Sequence, residues 1–234
     1  FRYFITLNAM KIYNYKNTLS HLRYILLGSF LTAIPAQAAM INIVVGDDGD
    51  VANYGTTVNT TGASADFIRS GGTIVRYVIL EFNLSALDDT TTIDSVTLNL
   101  TKNGTFSNTG SNPVEIDIFA SNGDGVVNIS DYSSGGTQVV DTSVSISPTN
   151  PIDGTVFNFA FTDVNPVQAA LAGDNLTIRL ATVNFGGGGF ATLETPNPDF
   201  SAASLTINHT PIPEPTSTLL LGLGACFGVM RKRR

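Results

Sequence analysis

The stretch TIDSVTLNLT, residues 92–101, alternates apolar Val96, Leu98 and Leu100 with polar Thr97, Asn99 and Thr101. Successive side chains of an extended strand point to opposite faces, so this pattern places one face in a core and the other in water. NLTIRLATV, residues 175–183, repeats the alternation, with Leu176, Ile178 and Leu180 inward and Thr177 and Arg179 outward. Further out, IVRYVILEFNL (74–84), VEIDIFA (114–120), TVFNFAFTDV (155–164) and ASLTINHT (203–210) are also strand-like. Clusters of Gly, Asn, Asp and Pro separate these runs at roughly ten-residue intervals, the spacing of an all-β sandwich. NPVQAAL, 165–171, is the one helical candidate, with Pro166 suited to a first helical turn. Gly186–Gly189 and Thr195–Pro198 read as loops, and neither a second domain nor an internal repeat is evident. The expected fold is all-β, an antiparallel jelly roll or β-sandwich over residues 39–210.

Charge divides the chain. Of twelve Lys and Arg residues, four precede residue 39 and four follow residue 230. Only Arg69, Arg76, Lys102 and Arg179 lie between, against eighteen acids from Asp47 to Asp199, a net charge of −14. Nucleic acid and anionic lipid both require clustered cations, so neither is an expected partner of this region. The one cysteine is Cys226, which leaves residues 39–210 without a disulfide, a thiolate nucleophile or a cysteine metal site. His209, the one histidine after residue 38, ends the last strand and is expected at the surface, which argues against a Ser-His-Asp triad.

The start of the chain has the layout of an export signal. Lys11, Lys16 and Arg23 lie within the segment Met10–Arg23, Tyr24–Ile34 is almost wholly apolar, and Pro35-Ala36-Gln37-Ala38 offers an A-x-A site. Residues 10–38 therefore read as a secretory signal peptide, cut after Ala38 or one residue later, with the Sec translocon as the implied partner. Phe1–Ala9 precede the first methionine and read as an over-extended start.

The opposite end, residues 211–234, combines Pro213-Glu214-Pro215, an uncharged apolar run from Thr216 to Met230, and the closing cations Arg231, Lys232, Arg233 and Arg234. Fifteen residues make a helix of about 22 Å at ~1.5 Å per residue. That is slightly short for a hydrocarbon core of ~30 Å, a gap that local thinning and snorkelling arginines close. The terminal cations act as a membrane stop on the cytoplasmic side. This order of elements resembles the PEP-CTERM sorting signal of Gram-negative bacteria. The resemblance implies recognition and cutting near the PEP motif by an exosortase. The expected course is transient insertion of the tail in the inner membrane, then release to the outer surface or medium. An uncut, permanent membrane anchor is the alternative.

The strand series itself resembles the DNRLRE-type jelly roll. Phe82-Asn83-Leu84-Ser85 stands for that family's F-D-L-S, and Ser95-Val96-Thr97-Leu98-Asn99-Leu100 for its S-A-x-L-x-L strand. Asp163-Val164-Asn165-Pro166-Val167-Gln168 stands for D-V-T-x-x-V-Q, and Ala203–His209 for the closing strand. Asn83 replaces the usual Asp, and the Trp-rich central stretch is missing. The resemblance implies a cell-surface module associated with polysaccharide.

Two sets of candidate site residues follow. SNGDGVVNISDY, 121–132, resembles the calcium loop of dockerins and EF-hands, with Asn122, Asp124, Asn128 and Asp131 at ligand positions and Ala120 where the first carboxylate belongs. Asn-Gly and Asp-Gly are equally strong turn signals, so a plain β-turn is the competing reading. Asp47-Asp48-Gly49-Asp50 is a second acidic segment, read as a loop with the same two alternatives; calcium is the one cofactor suggested. Sugar-binding modules stack pyranose faces on exposed aromatics, and with no Trp the candidates are Tyr132, Phe185 and Phe190. Tyr77 is expected in the core. Glu81, Glu115, Asp117 and Glu194 fall on strand patterns where an acid is usually an outward polar group, so a glycosidase pair is not marked. The expected function is an exported, non-catalytic structural or exopolysaccharide-binding surface protein, with a carbohydrate-active enzyme as the alternative.

Overall fold

The computed structural model describes residues 38–52, 55–70, 74–108, 113–133, 135–146, 151–182, 186–195 and 200–210. Residues 1–37 and 211–234, with Pro213, Glu214, Pro215, Arg231, Lys232, Arg233 and Arg234, lie outside them, as does Phe185. None of the described helices is long and apolar enough to cross a membrane. Residues Ala38–Pro211 fall within one compact unit.

Thirteen strands are described: β1 (Ala39–Val44), β2 (Asp47–Ala52), β3 (Thr57–Asn59), β4 (Ser64–Ser70), β5 (Ile74–Asn83), β6 (Thr92–Thr101) and β7 (Ser107–Asn108), followed by β8 (Val114–Asn122), β9 (Thr137–Val144), β10 (Val156–Ala160), β11 (Asn175–Ala181), β12 (Gly186–Ala191) and β13 (Ser204–Thr210). A smaller sheet runs β1-β13-β6-β10, and a larger one runs β7-β12-β4-β5-β11-β8-β9 with β2 and β3 added on β5. The pairings are antiparallel; Ala39 lies opposite His209 and Val44 opposite Ser204, while Leu180 lies opposite both Val78 and Ile118.

One core lies between the sheets. Leu98, Leu100, Leu205 and Ile207 of the smaller sheet share a continuous buried cluster with Val78, Leu80, Phe82, Ile116, Ile118, Leu176, Ile178 and Leu180 of the larger one. The alternation read in residues 92–101 and 175–183 is therefore an inward apolar set in each sheet, as two-sheet packing requires. The outward face of the smaller sheet is a polar ladder. Asn99 Nδ2 donates to Ser204 Oγ at 3.3 Å and Thr206 Oγ1 at 3.0 Å, and Asn208 Nδ2 donates to Ser95 Oγ at 2.8 Å.

Short helix α1 (Asn165–Ala170) closes one end of the core. Asp163 Oδ1 accepts from Asn165 N at 2.9 Å, and Pro166 occupies the first turn, where its missing N–H costs nothing. Gln168 ties the helix to the start of β6: its Oε1 accepts from Ile93 N at 2.9 Å and its Nε2 donates to Thr91 O at 2.8 Å. Val167 and Ala170 point into the core.

Two sequence expectations are corrected here. Gly186–Gly189 form strand β12, pairing with β4 from Gly186 opposite Arg69 to Ala191 opposite Ser64. Glycine is required because the chain is pressed close: a Cβ on Gly188 would strike the Phe106 ring, and one on Gly187 the Phe67 carbonyl. The acidic segment at 47–50 is likewise strand β2, with Asp48 and Asp50 buried. Partners remote in sequence make that tolerable, since Asp50 faces Arg76 Nε at 3.5 Å and Asp48 Oδ2 accepts from Leu193 N at 3.0 Å.

Candidate functional site

The outward face of the larger sheet carries chemistry that the inward face lacks. Register places Glu81 beside Thr177, and Arg179 between Ile79 and Phe119; Ala181 sits beside Asp117. The loop following β8 folds back over one half of this face. Gly125 N donates to Glu81 Oε2 at 3.2 Å, Val127 N to Asp47 Oδ2 at 2.8 Å, and Arg179 Nη1 to Tyr132 O at 3.1 Å. Val127 packs with Val51 and Ile79 in a second small cluster, against which Tyr77 and Tyr132 also lie.

Under this loop Glu81 is 1 % exposed, and Thr177 Oγ1 donates to its Oε1 at 2.5 Å. Burial pushes its carboxyl up to about 7, against the opposing pull of the Thr177 and Gly125 hydrogen bonds; the Asp131 and Asp124 charges push the same way as burial. Asp48 is also raised to about 7, first by burial and then by Glu194 and Asp47, with the Leu193 amide opposing.

Three of the four residues aligned to calcium-ligand positions, Asp124, Asn128 and Asp131, hold the loop itself together. Asp124 Oδ1 accepts from Val126 N at 3.0 Å, and its Oδ2 accepts from Asn128 Nδ2 at 3.0 Å. Asn128 Oδ1 caps Ser130 N at 2.9 Å while Asp131 Oδ2 accepts from Asn128 N at 2.7 Å, a reciprocal capping box on the 3-10 turn Ile129–Tyr132. Asn122 is the last residue of β8. The Asp124, Asn128 and Asp131 oxygens thus accept from backbone amides and from Asn128 Nδ2 within the loop. Among the described residues no group of three His, Cys, Asp or Glu side chains is placed to hold a metal ion.

The aromatic candidates separate. Phe190 is 1 % exposed on β12, stacked on Phe67 at 5.8 Å and edge-on to Phe106 at 5.6 Å, so it offers no ring face to a sugar. Its alternation along β12 turns it inward, which a loop reading of the glycines concealed. Tyr132 is half-buried, its ring 4.9 Å from Tyr77. Tyr77 belongs to the outer face rather than the main core. His209 is half-buried rather than at the surface.

Beyond the loop the same face opens into a cleft of about 270 Å³ lined by Arg69, Tyr77, Asp117, Phe119, Arg179, Ala181 and Thr182. The Arg179 guanidinium lies 5.0 Å from the Tyr77 ring centre and 4.9 Å from that of Phe119. Asp117 accepts from Gln138 Nε2 at 2.9 Å, and burial, then the Asp141 and Glu115 charges, raise its carboxyl above the usual range. Sequence reasoning placed Asp117 and Arg179 outward but did not bring this group together. The outward parity of Asp117 and Phe119 in VEIDIFA was the available signal; the strand register that joins them to β5 and β11 was not.

No curated protein matches the chain. The PEP-CTERM protein-sorting motif matches residues 211–234, the segment running from Pro211 to the closing arginines. The chain therefore carries, C-terminal to an antiparallel β-sandwich, the sorting signal of an exosortase-targeted, exported surface protein.

Proposed function

We propose that the protein is a non-catalytic structural or binding module of the extracellular matrix, associated with exopolysaccharide and released to the surface after exosortase processing. The observation that carries this reading is the match of residues 211–234 to the PEP-CTERM motif. The signal-peptide layout of residues 10–38 supports it, as does a net charge of −14 over the exported region, which favours a soluble, extracellular life. The sandwich is read as a jelly roll of the DNRLRE type, a reading supported by the contacts of its quoted motif: Asp163 starts α1, Val167 enters the core and Gln168 binds the backbone of Thr91 and Ile93. Before processing, the tail holds the protein in the inner membrane.

Intact mass and location in a host with and without its exosortase test this. The expected product lacks Met10–Ala38 and the tail, and occurs outside the cell only when the exosortase is present. A tail still attached in the inner membrane of both strains would overturn the sorting half. Failure of the exported protein to sediment with host exopolysaccharide would overturn the matrix half.

A further inference from the structure

We propose that strand β1 is an association edge at which two copies of this chain pair about a two-fold axis, joining their smaller sheets into one. Among the described strands β1 ends the smaller sheet, with β13 on one side and no strand on the other. Val45, directly after β1, donates its N–H to Ala203 O at 3.0 Å. Backbone N–H and C=O groups alternate in direction along an antiparallel ladder, so Ala39, Ile41 and Ile43 also turn theirs to β13. Met40, Asn42 and Val44 therefore direct theirs to the open edge.

Folded proteins usually blunt such an edge with a charge, a proline, a bulge or a very short strand. β3 and β7 are only three and two residues long. β9 carries Asp141 and a register shift against β8. β10 runs on to Thr162, whose N and Oγ1 both donate to Val139 O of β9, at 2.8 and 2.9 Å. β1 has none of these devices: AMINIV is uncharged, free of proline and in unbroken register with β13 over its six residues. Its outward side chains are apolar as well, Met40 being 71 % and Val44 55 % exposed.

A second copy is the occupant because the strand complements itself. In an antiparallel pair centred on Asn42, Met40 lies opposite the partner's Val44, and Asn42 opposite the partner's Asn42. Each open N–H and C=O then meets one from the other copy, and the exposed apolar side chains cover one another. Such an isologous contact closes on itself and stops at two copies. Charge restricts where copies can meet: at −14 each they repel, and β1 presents no charge of its own. Six residues a side is far below the roughly 20–30 of a stable interface, so the dimer is weak and concentration-dependent.

Sedimentation of the exported protein carrying Cys226→Ser, which removes the one thiol whether or not the tail is cut, tests this. A reversible monomer–dimer equilibrium is expected, tightening as salt rises from ~0.02 to ~0.15 M because screening relieves the acidic repulsion. Asn42→Pro deletes an N–H that β13 does not use, and should raise the dissociation constant about tenfold or more. Cross-linking reads the register without relying on that variant. Residues directly opposite in such a ladder have Cα atoms ~5.5 Å apart, within disulfide reach, so Asn42→Cys should give a disulfide dimer on mild oxidation. Met40→Cys, although strongly exposed, lies ~14 Å from its counterpart and should not. A monomer at every concentration up to ~1 mM would overturn the proposal. So would a dimer that Asn42→Pro leaves intact, or one in which Met40→Cys cross-links as readily as Asn42→Cys.

Discussion

Glu81 shows how one buried side chain makes stability depend on pH. Its carboxyl and that of Asp48 titrate near 7 in the folded protein, against ordinary values of 4.5 and 3.8. Between those limits the folded state holds more protons than the unfolded one, so their contribution is fully present below pH 4 and is lost as pH rises through 7. The urea midpoint should therefore fall between pH 5 and pH 8. Glu81→Gln, which keeps partners for Thr177 and Gly125, should flatten that fall and raise the midpoint at pH 8; an unchanged slope would show that Glu81 does not carry it. Phe190 makes an opposite point. As a core ring stacked on Phe67, its replacement by Ala should cost about 3–5 kcal/mol in chemical denaturation, where an exposed sugar platform would cost about 0.5 kcal/mol or less.

The elements differ in how readily their residues declare them. β5, β6 and β11 were legible because alternating apolar residues face the core along their lengths. β2 and β12 were not, since acids and glycines disfavour strands and the contacts that override this preference come from far along the chain. Asp48 meets Leu193, and the glycines of β12 make room for Phe67 and Phe106. Gly188→Ala should accordingly destabilise by about 1–3 kcal/mol, the overpacking cost, despite adding a residue with better intrinsic order than glycine. A thermal midpoint at or above that of the parent would refute the close approach. The cleft was illegible for a related reason: β4, β5, β8 and β11 each supply part of it, and only their register assembles the group.

At the scale of the whole molecule, stability rests on one core between two sheets, with no covalent cross-link in the exported region. Cys226 lies in the tail, so thiol reductant should leave the thermal midpoint of the exported protein unchanged within error, and a drop would mean that the tail with Cys226 is still attached. The C-terminal end was the most readable part of all, because a sorting signal is a linear pattern that needs no fold to be recognised. What the sandwich itself does depends on side chains from distant strands and had to wait for its three-dimensional arrangement.

The pairing of β1 with β13 bears on the order of events during secretion. β13 is the one described partner of β1, and it ends at Thr210, directly before the matched sorting segment. A chain threaded from its N-terminus delivers β1 first and β13 last, about 160 residues later. At synthesis rates of ~5–20 residues per second, that leaves β1 waiting on the order of 10 s. The smaller sheet closes only when the residues directly before the matched sorting segment have been delivered, so completion of the fold and delivery of that segment are nearly the same moment.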